Sequence, residues 1–113
     1  MTHYLRKNAY WLPGLIAWVA FVATLSPGLL PSDAGEYQLV IAEWGVAHPP
    51  GYALYTLLAG VFARLLPVDF ATSANLFSAV VGALTVALTA FVVQRETDNP
   101  LAGWLAGFAL LAS

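Results

Sequence analysis

The chain has 113 residues, 60% of them hydrophobic and only 9% charged, and a mean hydropathy of +0.76. Soluble domains carry roughly 25% charged residues, so this composition describes an integral membrane protein. Four basic residues against six acidic ones leave no basic patch for nucleic acid, and the absence of cysteine excludes disulfides, thiolate catalysis and Cys-ligated metals.

The first predicted span covers residues 9–25. It follows Arg6 and Lys7, tolerates Pro13 in its opening turn and ends at Ser26-Pro-Gly28. At 1.5 Å per residue it is about 26 Å long, enough for a slightly thin bilayer. A basic segment before an apolar one also describes a signal peptide, but no A-x-A-like cleavage site follows and further apolar segments do.

Residues 26–51 form a loop that concentrates scarce charge. Asp33, Glu36 and Glu43 are half of the acids in the chain, and His48 stands just before Pro49-Pro50-Gly51. Ser32 or Asp33 is placed to cap an amphipathic helix over 33–46, with Asp33 and Glu36 near its start, where carboxylates favour the positive end of the dipole. At 100° per residue the three acids fall within an arc of about 80°, with Tyr37 and Trp44 beside them and Leu39, Ala42 and Val46 behind. Such a helix is too short and too charged to span, so it is expected along the membrane interface.

Residues 52–66 form a second apolar stretch ended by Pro67. At about 22 Å it is short for a span, and a crossing there would hold His48 to Gly51 at headgroup depth. Residues 70–93 make the longest span, along which Asn75, Ser78, Gly82, Thr85 and Thr89 form a small and polar stripe suited to helix packing. Arg95 to Asn99 is read as a polar turn and Pro100 as the start of a fourth, partial helix over 100–113. The expectation is an all-α, polytopic transmembrane bundle, a single domain over 1–113, continued by further spans or completed by other subunits. Basic flanks put the N-terminus and Pro67 to Asp69 in the cytoplasm and the loop 26–51 outside.

Pro31-Ser-Asp-Ala-Gly-Glu36, Ala47-His-Pro-Pro-Gly-Tyr-Ala-Leu-Tyr55 and Asn75-Leu-Phe-Ser-Ala79 together resemble the start of a family of bacterial multi-spanning proteins similar to protein O-mannosyltransferases. These belong to the GT-C class of membrane glycosyltransferases, and the resemblance covers only the N-terminal part of such proteins. It implies the bacterial inner membrane, a polyprenyl-phosphate sugar donor and a hydroxyl-bearing acceptor. On the same grounds Asp33 and Glu36 correspond to the acids of the first external loop, and His48, Pro49, Pro50 and Gly51 to the His-Pro-Pro-Gly element. Ala53 departs from the pattern, where many relatives have another proline.

The residues fit that chemistry, with plainer readings beside it. Transfer to a hydroxyl needs a base, which suits Asp33, although a carboxylate there also serves as a helix cap. Glu36 is placed to assist Asp33 or hold an acceptor, or only to favour the helix dipole. Glu43 reads as a solvated face residue. Two prolines hold His48 on a rigid segment from which its ring can meet a donor phosphate; a backbone carbonyl would satisfy it equally. Tyr52 and Tyr55 suit a sugar or an interfacial aromatic belt. Asp33, Glu36 and His48 are a conceivable but dispersed metal set, so no cofactor is expected. The chain alone is expected to be inactive, because so few spans enclose little volume. The rival reading is a non-catalytic membrane assembly partner or a transporter fragment.

Overall fold

The computed structural model describes residues 8–49 and 51–113, and among these the secondary structure is entirely helical. The helices are α1 (Trp11–Ala23), α2 (Ser32–Glu43), α3 (Ala53–Leu65), α4 (Phe70–Thr97) and α5 (Pro100–Ala112). They divide into two compact units: one comprises the chain up to Thr24 together with Ala79–Ser113, the other Leu25–Ser78. Among the described residues only α4, about 42 Å long, is long and apolar enough to cross a membrane, while α1, α3 and α5 are apolar but shorter.

In the first unit small residues bring helices close, as they do where lipid leaves no hydrophobic drive between helices. Ala17, Ala83 and Val86 form the core with Phe21 and Leu111 against it. Tyr10 meets Phe91 edge-on with centroids 4.9 Å apart, and Trp104 Nε1 donates to the Ala9 carbonyl at 3.1 Å. The Asn99 side chain accepts from Leu101 N–H at 2.9 Å and Pro100 opens α5, as the sequence leads one to expect.

Helix α4 runs four residues further than the predicted span. Its last turn is held because Gly103 lets α5 close onto Ala90 and Gln94, and the reversal is confined to Asp98, at φ 48°, and Asn99. The expected polar packing stripe on α4 is only half realised. Thr85 and Thr89 donate to carbonyls of their own helix, Val81 and Thr85, both at 2.8 Å, and alanines carry the packing there. A hydroxyl with a partner one turn back has no need of a neighbouring helix.

The second unit is built on a core of Ile41, Ala59, Ala63 and Ala74, with Tyr55 and Phe77 packed on it. Gln38, 3% exposed, organises its polar interior. Its oxygen accepts from Leu30 N–H at 2.9 Å, and its amide donates to the Gly28 carbonyl at 3.1 Å and to Asn75 Oδ1 at 2.9 Å. Asn75 in turn donates to the Ser26 carbonyl at 2.7 Å. Asp69 accepts from Thr72 N–H at 2.9 Å and so caps α4, which holds its carboxyl below the usual carboxylate range.

Three expectations for α2 need correction. The helix stops at Glu43 rather than 46, because Trp44 takes the left-handed conformation at φ 53°. No side chain caps its start: extended Pro31 precedes it, and Ser32 has φ 60°. Its inward residues are Gln38, Val40 and Ile41, whereas Leu39 and Val46 are exposed. The hydrogen bonds of Gln38 set that rotation, since an amide buried without partners is costly.

Helices α2 and α3 lie along one another. Tyr37, midway along α2, meets Tyr55 in the first turn of α3, with centroids 5.6 Å apart. Near their C-terminal ends the Arg64 guanidinium donates to the carbonyls of Ile41 at 3.1 Å and Ala42 at 3.0 Å and stacks 4.0 Å from the Trp44 ring. The two helices therefore run side by side. Helix α3 covers 13 residues of the predicted stretch 52–66 and is short, by length, for a membrane span.

Candidate active site

The site grows from two segments that local backbone geometry folds together. Pro31 delivers the chain into α2 so tightly that a Cβ at position 35 would overlap the Leu30 carbonyl oxygen, and glycine stands there. This sets Asp33 in the first turn of α2 and Glu36 one turn on. The left-handed Trp44 then turns the chain back along α2, which brings His48 to Glu36. Gly51, at φ 86°, donates its N–H to the His48 carbonyl at 2.8 Å, and Tyr52, at φ 45°, directs the chain into α3.

Glu36 takes His48 by both backbone and ring. One carboxylate oxygen accepts from the His48 backbone N–H at 2.6 Å and the other from His48 Nδ1–H at 2.9 Å. The bond to the His48 ring, then that to its amide, hold the Glu36 carboxyl below the usual carboxylate range. Conversely, the hydrogen bond from Glu36, then its charge, raise His48 above the ordinary imidazole value, with Asp33 adding to the effect. Each group thus favours the other's charged form at neutral pH.

Asp33, Tyr37, His48, Tyr52 and Tyr55 line an open cavity of about 390 Å³. Tyr37 lies between the other rings, with centroids 6.0 Å from His48, 5.7 Å from Tyr52 and 5.6 Å from Tyr55. Burial among these rings, and then the neighbouring Tyr52, push its phenol above the usual range, so it stays neutral. Tyr55 also shares a hydrogen bond of 2.9 Å with Ser78 Oγ, which fixes that wall.

Of the residues singled out from sequence, Asp33, His48, Tyr52 and Tyr55 meet at the cavity, and Glu36 holds His48 in place. Pro49 and Gly51 shape the turn beside them, and Pro50 lies outside the described residues. Tyr37 was legible only as a neighbour of the acids, and its place at the centre of the wall is new. The trio Asp33, Glu36 and His48 is not dispersed, for it brings side-chain oxygen and nitrogen atoms within 4.8 Å of one another. Within that trio His48 Nδ1 is engaged with Glu36, and Asp33 stands at the first turn of α2. The arrangement reads as a hydrogen-bonded pair beside a second acid.

Residues 33–102 match the family described as the protein O-mannosyl-transferase TMEM260 N-terminal domain. The chain belongs to this family. A mouse protein named protein O-mannosyl-transferase TMEM260 is 41% identical over 95 residues, covering 81% of this chain and 14% of the mouse protein. A Dictyostelium discoideum protein of the same name is 29% identical over 93 residues, covering 80% of this chain and 11% of its own length. The chain thus spans no more than 14% of either relative. No solved structure matches. Both relatives are eukaryotic, whereas the sequence resemblance is to a bacterial family. The matched stretch begins at Asp33 and contains every residue that lines the cavity.

Proposed function

We propose that this chain is the N-terminal part of a GT-C-type membrane glycosyltransferase that moves mannose from a polyprenyl-phosphate donor to a protein Ser or Thr hydroxyl on the non-cytoplasmic side. One observation carries the reading: Asp33 and His48, 15 positions apart in sequence, converge on one tyrosine-walled cavity within the family-matched stretch. The name borne by the relatives supports the sugar and the acceptor class.

The acceptor hydroxyl attacks C1 of the sugar as the bond from C1 to the phosphate oxygen breaks. Asp33 takes the hydroxyl proton, and the polyprenyl phosphate leaves carrying the bonding electron pair. His48 hydrogen-bonds and offsets the charge on that phosphate. Tyr37, Tyr52 and Tyr55 supply ring surface for the apolar faces of a sugar.

The membrane arrangement supports this use. With α2 and α3 together at the non-cytoplasmic interface, α4 is the crossing that leads inward from Asp69. Arg95 then joins Arg6 and Lys7 on the cytoplasmic side and Arg64 stays outside, which satisfies the basic bias as well as the arrangement expected from sequence does.

The test uses the longest product of the coding frame in nanodiscs, with polyprenyl-phosphate mannose and a Ser/Thr peptide. Asp33→Asn removes the base at constant size and should slow the chemical step by roughly 10²- to 10⁴-fold. His48→Gln should raise KM for the donor more than it lowers kcat, as expected for a phosphate bound equally in ground and transition states. Glu43→Gln, far along α2 and exposed, should change little. Near-normal turnover in Asp33→Asn would remove the catalytic assignment.

A further inference from the structure

We infer that Glu36 is a positioning residue: it clamps His48 by backbone and ring, aims the free Nε2 of His48 at the donor phosphate, and takes no proton from the acceptor. The identity of the ligand rests on the function proposed above; the clamp rests on geometry alone.

Both carboxylate oxygens of Glu36 are committed to His48, at 2.6 and 2.9 Å. A carboxylate paired with an imidazolium is a poor base for a third group, whereas Asp33 lines the cavity itself. The amide that Glu36 accepts is also the last donor before Pro49 and Pro50, which have none, so this bond fixes where the rigid segment begins. With Nδ1–H bound to Glu36, Nε2 has no partner among the described residues and is the ring nitrogen left for a ligand.

The charges around the cavity give the clamp its purpose. The titratable groups facing His48 are Glu36, Asp33 and Tyr37 from α2, Tyr52 from its own segment and Tyr55 from α3. No lysine or arginine is among the lining residues. A phosphate entering here meets a carboxylate, and His48 is the one basic side chain lining the cavity that can offset it, which a neutral imidazole does not do. An unassisted histidine titrates near 6.5 and is mostly neutral above pH 7. Glu36 extends the range over which His48 keeps its proton.

Two measurements on the full chain in nanodiscs test this. The first follows the His48 imidazole by NMR as a function of pH, its resonance assigned with His48→Gln. His48 should titrate above 6.5 in the wild type and move down in Glu36→Gln. An unshifted His48 in the wild type, or the same titration in both proteins, would overturn the clamp while leaving the transferase reading untouched. The second measures binding of farnesyl phosphate. At pH 7.5 Glu36→Gln should bind about tenfold more weakly, and at pH 5.5, where imidazole protonates unaided, within about twofold of the wild type. A loss equal at both pH values would reduce Glu36 to a structural support. A wild-type chain that binds no farnesyl phosphate at either pH would overturn the phosphate role, and with it the donor assignment.

Discussion

The charge pairing of Glu36 with His48 contributes to stability while both are charged, and the sign of each shift sets the window. The folded pKa of Glu36 lies below its ordinary 4.5, so its contribution is present above 4.5 and is lost as pH falls through the lowered folded value. His48 lies above its ordinary 6.5, so its contribution is present below 6.5 and is lost as pH rises through the raised folded value. One shared interaction is therefore fully present between 4.5 and 6.5 and fades on either side. The difference in thermal midpoint between wild type and Glu36→Gln, measured from pH 3 to 9, should follow that plateau. A pH-independent difference would mean that shape, not charge, joins the two residues. Because both side chains are partly open to solvent, at 36% and 45%, the effect should also shrink in high salt.

At the scale of elements, the entry into α2 depends on an atom that is not there. A Cβ at Gly35 would occupy the space of the Leu30 carbonyl oxygen, so Gly35→Ala should cost about 2 kcal/mol and lower the thermal midpoint by several degrees. Gly45→Ala is the matched control, for a Cβ there meets only Val40 at 3.8 Å and above, and should be tolerated. Equal melting of the two variants would show that the Pro31 entry can relax. The sequence made some of this readable. Five apolar or amphipathic segments, their approximate ends and the start of α5 at Pro100 follow from periodicity and punctuation, because those signals are local. The meeting of Asp33 with His48 was approachable through the two separate segments that together carry the family resemblance. What stayed hidden was long-range: which face of α2 turns inward, and that α3 lies beside α2. Both depend on Gln38 finding Asn75 and on Arg64 finding Ile41 and Ala42, pairings that no single segment encodes. A lone glutamine among apolar residues was the available hint, since a buried amide demands partners.

At the scale of the whole molecule, the placement proposed for α2 and α3 at one interface puts Ser32 and Asp69 on one side of the membrane and Arg95 on the other. Single cysteines at Ser32 and Asp69 should both react with an impermeant thiol reagent from the non-cytoplasmic face, and one at Arg95 should not. Reaction at 32 without 69 would make α3 a crossing and remove the shared interfacial placement proposed for α2 and α3. The network around Gln38 carries a further consequence, for the order of synthesis. The loop with Asp33 and Glu36 leaves the ribosome well before Asn75, whose amide fastens it through a bond spanning 49 positions to Ser26. Until the first turns of α4 emerge, nothing on the nascent chain completes that enclosure, and closing so long a loop is slow. A polypeptide halted before α4 would carry every residue that lines the cavity and yet lack Ser78, which fixes the Tyr55 wall, and Asn75, which fastens the loop.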